Sequence, residues 1–153
     1  MDFWQVNDFR LEDLMPFIEE QLAAGRNVKF SPRGTSMLPM LRQGLDSVVL
    51  SPVPDRLHKY DLPLYRRKDG QFVLHRIVET GETYTCVGDN QFELERGLEQ
   101  EQMLALVTKF YRNGKPYYVT DLSYRIYCRF WHYSRSVRRL WRRGIGFLRR
   151  HLK

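Results

Sequence analysis

Apolar and polar residues alternate in short runs through most of the first 120 residues, and this two-residue period is typical of β-strands. The predicted strands cover residues 28–31, 47–51, 62–67, 71–78, 83–87, 105–112 and 117–120. The dipeptides Asp69-Gly70 and Asn113-Gly114 predict two-residue hairpin turns, which need positive φ angles. Short strands at this spacing indicate a mainly β fold, an antiparallel barrel or sandwich, rather than an α/β fold.

A helical period replaces this alternation at both ends of the chain. Apolar residues three and four apart predict a helix over about residues 9–25, with Gly25 at its C-terminal end. Pro16 lies within this segment, so the regular helix is expected to begin near it, since proline is tolerated in a first turn. In residues 121–153, apolar side chains share one helical face and arginines the other, which predicts a basic amphipathic helix.

The net charge of +7 is unevenly distributed along the chain. Residues 121–153 contain ten lysines and arginines and one acid, a net charge of +9. Residues 1–120 contain the other fifteen bases and seventeen acids, a net charge of −2. We therefore predict a near-neutral domain at 1–120 and a basic helical tail at 121–153. This distribution differs from that of a uniformly basic nucleic-acid-binding domain.

The chain has 153 residues, of which 42% are hydrophobic, enough for one domain with a buried core. No run approaches the ~18 apolar residues of a membrane-spanning helix, and the N-terminus lacks the pattern of a secretory signal. Cys86 and Cys128 form no CxxC pair, so we expect a reducing, cytoplasmic location. The histidines His58, His132 and His151 show no metal-ligand spacing, and no metal or other cofactor is expected.

Three segments contain residues suited to peptide-bond chemistry. Ser36 lies between a glycine-containing turn and a Met-x-Pro run, where it can present its hydroxyl and nearby backbone N–H groups to a carbonyl. His75 lies among apolar residues of the predicted strand 71–78. Residues 87–90 form a predicted turn, which is followed by the acid Glu95.

Together these segments resemble the signal peptidase I superfamily of serine peptidases, which also includes the self-cleaving SOS repressors. The matching segments are Ser36-Met37-Leu38-Pro39, Gly44-Leu45-Asp46-Ser47-Val48-Val49-Leu50, His75-Arg76-Ile77-Val78 and Gly88-Asp89-Asn90. Leu45 separates Gly44 from Asp46, which departs slightly from the family pattern. The resemblance covers roughly residues 28–112. It implies a serine endopeptidase that cleaves leader or signal-like peptides, with a peptide or preprotein as its partner.

The resemblance also implies a role for each matched residue. Ser36 would be the nucleophile and His75 the general base, because the archaeal and endoplasmic-reticulum branch carries a histidine where bacterial enzymes carry a lysine. The acid that orients His75 would be Asp89 or Glu95, and both remain candidates. The residues expected to form the oxyanion hole or support the site are Gly34, Thr35, Met37, Pro39, Arg76, Gly88 and Asn90.

One departure from the family pattern leaves an alternative open. Many relatives carry a serine where this chain has Gly34, which leaves the second oxyanion donor undetermined. A catalytically weak or inactive peptide-binding or adaptor module of the same fold is therefore the alternative function.

The dipeptide Ala24-Gly25 resembles the bond that SOS repressors cleave in themselves, but it is better explained as a helix end. Residues 1–30 are too short for the DNA-binding domain of a repressor.

The tail at 121–153 predicts a second function. An amphipathic helix with arginines on one face and large apolar residues on the other can lie at an anionic membrane surface. The protein would then be peripheral on the inner face of the cell membrane. A helix packed on the domain, a nucleic-acid-binding arm and a docking helix for an acidic protein are the alternatives, and the nucleic-acid arm is the least favoured. The tail residues expected to face a membrane or partner are Arg138, Arg139, Trp141, Arg142 and Arg143.

Overall fold

The computed structural model describes residues 4–6 and 10–152, with side chains from residue 10 onward. Residues 9 and 153, at the outer ends of the two predicted helical segments, lie outside the described residues. The strands are β1 (Trp4–Val6), β2 (Val28–Phe30), β3 (Ser47–Ser51), β4 (Pro63–Arg66), β5 (Phe72–Leu74), β6 (Arg76–Glu79), β7 (Tyr84–Val87), β8 (Glu95–Leu98), β9 (Met103–Arg112) and β10 (Lys115–Tyr118). The helices are α1 (Leu11–Ala23), α2 (Leu122–Tyr133) and α3 (Arg135–His151), and a short 3-10 turn covers Gln100–Gln102.

The described strands form two sheets. The larger has the order β1-β2-β3-β9-β4-β5, and β10 also pairs with β9. The smaller has the order β6-β7-β8. All pairs are antiparallel except β1 with β2. The predicted mainly β, antiparallel fold is therefore confirmed, whereas neither sheet of the described residues closes into the barrel that was one of the two predicted forms.

Two apolar clusters hold these layers together. The larger packs α1 against the larger sheet, with contributions from the Ser36 turn and α2. The smaller lies between the sheets and contains Tyr65, Ile77 and Cys86, each fully buried. Burial of apolar area at about 25 cal/mol per Å² is the main force that stabilises such contacts. The second cluster matters for function, because it fixes β4 against β6 directly beside His75.

The predicted strand at 71–78 is two strands in different sheets. It is interrupted at His75, which links β5 in the larger sheet to β6 in the smaller. Every other predicted strand overlaps an observed one, and β1 and β8 are the described strands that the sequence did not predict. Because the apolar pattern continues through the crossover, the sequence alone gives no sign of it.

The helices differ from prediction in two respects. Helix α1 begins at Leu11, so the predicted start near Pro16 is wrong. Pro16 has no backbone N–H to donate within the helix. The helical turn that contains it is stabilised instead by Met15 and Ile18, which are buried against the core. The predicted single tail helix is two helices separated by Ser134, whose hydroxyl bonds back to the carbonyl of Trp131.

Candidate active site

Ser36 lies in the turn between β2 and β3. Backbone hydrogen bonds from Leu38 N to Thr35 O (3.2 Å) and from Leu41 N to Met37 O (3.0 Å) close this turn. Met37 and Leu41 are buried and anchor it on the core, while Ser36 itself is half-buried. The apolar residues of the motif therefore fix the backbone on which the serine hydroxyl is displayed.

The turn at Gly88 holds Ser36 beside His75. The backbone N–H of Asn90 donates to Ser36 O (2.8 Å), and the Asn90 side-chain amide donates to Thr35 O (3.1 Å). A Cβ atom placed on Gly88 would lie 2.7 Å from Ser36 O and 3.1 Å from His75 Nε2. Glycine is required here by close approach, because the backbone of Ser36 and the imidazole of His75 meet at this residue.

His75 is buried and backed by a tyrosine and a carboxylate. The Tyr65 hydroxyl donates to Glu95 Oε1 (2.7 Å), and Tyr65 Oη lies 3.3 Å from His75 Nδ1. Since the single hydroxyl proton of Tyr65 goes to Glu95, Tyr65 Oη can only accept from His75. The network therefore assigns the imidazole proton to Nδ1 and leaves Nε2 with a free lone pair.

His75 lines a cleft, and its Nε2 atom is not fully buried. Within the described residues it has no hydrogen-bond partner, and every fully buried side-chain N or O atom there has one. Nε2 therefore retains access to solvent. The cleft that His75 borders has a volume of about 770 Å³. Its other lining residues are Arg67, Asp69, Asn90, Gln91, Phe92, Glu93, Leu94, Glu95, Arg139, Arg142 and Arg143.

Burial sets the charge state of His75. It lowers the pKa of the imidazole to about 4, against a smaller opposing effect of Glu95, so His75 is neutral near pH 7. Burial raises the pKa of Glu95, but hydrogen bonds from Arg67 and Tyr65 outweigh it and hold that pKa below its usual value. The Arg67 contacts are Nε to Oε2 (2.7 Å) and Nη2 to Oε1 (2.9 Å). The site at rest thus contains a neutral base in front of an ionised carboxylate.

The two acids that the sequence left open have different partners. Glu95 Oε1 lies 3.9 Å from His75 Nδ1 and reaches it through Tyr65. Asp89 instead pairs with Arg76, Oδ1 with Nε and Oδ2 with Nη2, each at 2.8 Å. Its Oδ2 also accepts from the Tyr127 hydroxyl (2.8 Å). The geometry therefore places Glu95, rather than Asp89, behind the imidazole.

Arg76 links the site to helix α2. Its Nη1 donates to the Tyr124 hydroxyl (2.7 Å) and to Cys128 Sγ (3.1 Å), and its Nη2 donates to Met40 Sδ (3.0 Å). Burial by itself would lower the pKa of this guanidinium, but the charge of Asp89 raises it, so Arg76 remains charged. The matched His-Arg motif thus contains one residue that faces the cleft and one that fastens α2 beneath it.

The tail also contacts the site directly. Trp131 Nε1 and Arg138 Nη1 both donate to the backbone carbonyl of Asp89, at 2.7 and 3.3 Å. Arg142 donates to Asn90 Oδ1 (2.7 Å) and Asn90 O (3.3 Å). Of the predicted tail residues, Arg138 and Arg142 therefore hold the turn at 88–90, and Arg139 and Arg143 line the cleft. Trp141 is exposed and borders a neighbouring groove.

That groove extends the surface beside Ser36. It has a volume of about 600 Å³ and a mainly apolar lining. Pro39 and Leu38 form one wall, and α3 forms the other through Trp141 and Ile145. It shares Asn90, Phe92 and Arg142 with the cleft at His75. Cleft and groove thus adjoin each other near the Ser36 turn, although Ser36 is in the lining of neither.

The possible oxyanion donors are few. The Gly34 N–H donates to Gln43 Oε1 (2.7 Å), so it is occupied. Neither the Ser36 N–H nor the Ser36 hydroxyl has a hydrogen-bond partner among the described residues, and both remain available to a ligand. The Thr35 carbonyl accepts from the Leu38 N–H and from the Asn90 side-chain amide. Catalytic hydrogen bonds are often long in ligand-free sites, so a hydroxyl that turns towards His75 only with substrate is compatible with this geometry.

No protein-family model matches the chain, and no curated protein matches it significantly. No helix in the described part of the chain is long and apolar enough to cross a membrane. Within residues 10–152, no three His, Cys, Asp or Glu side chains cluster as they would to hold a metal ion. The candidate function therefore rests on the geometry of the site.

Two side chains at the site were not predicted from the sequence. Tyr65 and Arg67 lie on and just after β4 and belong to no matched motif. They reach the site because β4 pairs with β5, whose end leads directly into His75. Only the hairpin signal at Asp69-Gly70, which places these strands side by side, could have brought them to notice.

Proposed function

We propose that the protein is a serine endopeptidase of the signal peptidase type, with Ser36 as nucleophile and His75 as general base. The observation that carries this proposal is the meeting at Gly88 of the Ser36 backbone and His75 Nε2, the nitrogen with the free lone pair. A neutral imidazole backed by an ionised carboxylate is suited to accept a proton from a serine hydroxyl.

The first half of the reaction would form an acyl-enzyme. Ser36 Oγ attacks the carbonyl carbon of the scissile peptide, and the hydroxyl proton passes to His75 Nε2. The resulting imidazolium is stabilised by Glu95 through Tyr65. The C–N bond then breaks, and the proton on Nε2 passes to the leaving amine.

The second half would release the acyl group. A water molecule in the cleft gives its proton to His75 Nε2 as its oxygen attacks the ester carbonyl. The bond between the carbonyl carbon and Ser36 Oγ breaks, and the proton returns from Nε2 to Ser36. A base positioned in this way contributes about 10²–10⁴-fold to the rate.

The substrate would be an extended peptide. The cleft and the apolar groove lie on the two sides of Asn90, Phe92 and Arg142, which leaves room for residues before and after the scissile bond. Cleavage of a leader or signal-like peptide, which carries an apolar segment next to its cleavage site, is consistent with this arrangement. The proposed class of substrate is therefore a preprotein or leader-bearing peptide.

The test is hydrolysis of a diverse peptide library, followed by mass spectrometry. We expect cleavage by the wild type and a loss of at least about 10³-fold in Ser36→Ala and His75→Gln. Matched controls are Ser123→Ala and His58→Gln, which change exposed residues of the same types. Equal hydrolysis by wild type and Ser36→Ala, or none by either between pH 6 and 9, would contradict the proposal.

The second candidate is a peptide-binding module of the same fold. It is favoured by one observation, the occupation of the Gly34 N–H by Gln43, which removes a possible second oxyanion donor. Loss of one such donor costs about 10²–10³-fold in rate. A library peptide that binds the wild type and Ser36→Ala equally and is never cleaved would support this candidate and exclude the peptidase.

A further inference from the structure

Helix α3 has the reverse of the orientation that a surface helix normally adopts. Two of its arginines, Arg138 and Arg142, point towards the protein and bond to the turn at 88–90. Leu140 and Leu148, which line none of the clefts described above, are 68% and 55% exposed. An amphipathic helix of a globular protein ordinarily buries its apolar face against the core. The apolar face of α3 is therefore available for some other apolar environment.

The same exposed face continues onto α2. Buried Tyr124 and Cys128 fasten α2 to the core, but its opposite side is exposed. Only Ser134 separates the two helices, and it keeps a helical conformation, with φ −78° and ψ −4°. We call the combined surface the outer face. Its members, each more than half exposed, are Leu122, Ile126, Phe130, Tyr133, Leu140, Phe147, Leu148 and Leu152. Val137, Trp141 and Ile145, at one edge of this face, line the groove beside Pro39 instead.

Positive charge borders the outer face. At about 100° per residue, the apolar positions of α3 occupy an arc of roughly 160°, and arginines fill most of the remainder. Residues 122–152 contain no acidic residue. Arg143 and Arg149, which lie next to the two ends of this arc, have no ion pair or hydrogen bond within the described residues. These two cationic side chains are thus free to bind anions.

We propose that the outer face of α2 and α3 binds the surface of an anionic lipid bilayer. The apolar side chains would enter the boundary between headgroups and acyl chains, and the bordering arginines would contact lipid phosphates. A second copy of the chain fits less well, because it would bring two arginine-rich borders together without acids between them. Nucleic acid also fits less well, because its phosphates would bind the arginines but leave the apolar side chains of the outer face exposed to water.

This orientation would place the candidate active site close to the lipid. The His75 cleft is lined by Arg139 and Arg143 on the other side of α3 from Leu148. A helix is about 10 Å in diameter, so the cleft would lie roughly one helix diameter from the membrane surface. A peptide that emerges from the membrane could reach it. The lipid-binding proposal nevertheless does not depend on catalysis.

The test is co-sedimentation of the full chain with two kinds of vesicle. One is pure phosphatidylcholine, and the other is an equimolar mixture of phosphatidylcholine and phosphatidylglycerol. We expect binding to the anionic vesicles that is at least tenfold tighter than to neutral ones and that weakens as salt is added. Each of Leu140→Glu and Leu148→Glu should weaken it by about tenfold, the effect of leaving one leucine out of the apolar phase.

Leu45→Glu is the matched control, because Leu45 is 68% exposed but lies outside the tail. It should bind vesicles like the wild type, and circular dichroism should show that all variants remain folded. Two results would overturn the proposal. One is sedimentation that is absent or unchanged by the two α3 substitutions. The other is a stable dimer in light scattering that Leu148→Glu dissociates, without any vesicle binding.

Discussion

Replacement of Gly88 by alanine tests how closely Ser36 and His75 must approach. The added Cβ would lie 2.7 Å from Ser36 O and 3.1 Å from His75 Nε2, whereas ordinary contacts begin at 3.4 Å. The backbone of Ser36 would have to retreat by about 0.7 Å to relieve the first contact. Asn90 opposes this movement, because its N–H holds the same carbonyl at 2.8 Å.

The magnitude follows from this displacement. A misplacement of about 1 Å between reacting groups can cost about 10²-fold in rate, so we expect Gly88→Ala to lower kcat/KM by 10- to 100-fold, in order of magnitude. Overpacking of a buried position costs about 1–3 kcal/mol of stability, which leaves much of the protein folded. The expected signature is therefore a loss of activity that greatly exceeds any loss of folded protein.

The assay compares kcat/KM for one cleaved library peptide with the thermal unfolding midpoint of each variant. Gly81→Ala is the matched control, since a Cβ there would lie 3.9 Å from its nearest neighbour, Thr83 O, in a turn of the smaller sheet. It should retain both activity and stability. Wild-type kcat/KM in Gly88→Ala would show that Ser36 and His75 do not need this close approach, and would refute the reasoning.

Three further predictions concern the polar network around the site. Tyr65→Phe removes the acceptor for His75 Nδ1–H, and we expect kcat to fall about tenfold or more, with an altered pH–rate profile and little change in KM. The pKa of His75 is about 4 in the folded protein and about 6.5 in the unfolded chain, so between pH 4 and pH 6.5 the unfolded state binds more protons. As pH falls from 7 to 4, wild type should therefore lose about 3 kcal/mol more stability than His75→Gln, measured by urea unfolding; equal losses would contradict the assigned burial. Arg76→Met leaves the buried carboxylate of Asp89 unpaired, and urea unfolding should show a loss of about 3–5 kcal/mol.

Much of the fold could be predicted because it depends on local patterns. Alternation located the strands, and Asp69-Gly70 and Asn113-Gly114 located two hairpins. The crossover at His75 could not be predicted, because Val73 and Ile77 continue the alternation on either side of it. Strand β8 was not predicted because it is short and mainly polar. It forms because it pairs with β7, and its own sequence shows no strand pattern.

The candidate site was predictable only in part. The order of the motifs led to Ser36, His75 and Gly88, and the structure brings these three together. The choice between Asp89 and Glu95 required three-dimensional information, because a carboxylate's partner depends on which strands lie side by side. The orientation of α3 on the domain could not be predicted either, since an amphipathic sequence does not specify what its apolar face contacts.

The most direct test of the proposed pairing between Ser36 and His75 uses Ser36→Cys, because a histidine that takes the proton of an adjacent thiol becomes an imidazolium and stabilises the reactive thiolate. The measurement is the rate of alkylation by iodoacetamide between pH 5 and 9, followed by intact mass. Cys86 and Cys128 should stay unmodified, since both are buried, and burial raises the pKa of both thiols, that of Cys86 to about 12.

At pH 6, we expect Ser36→Cys to react once and at least about tenfold faster than Ser36→Cys/His75→Gln. The pH profile of the single variant should lie below that of an ordinary thiol, whose pKa is about 8.5. An introduced thiol that titrates like an ordinary one, with the same rate whether or not His75 is present, would contradict the pairing on which the proposed peptidase depends.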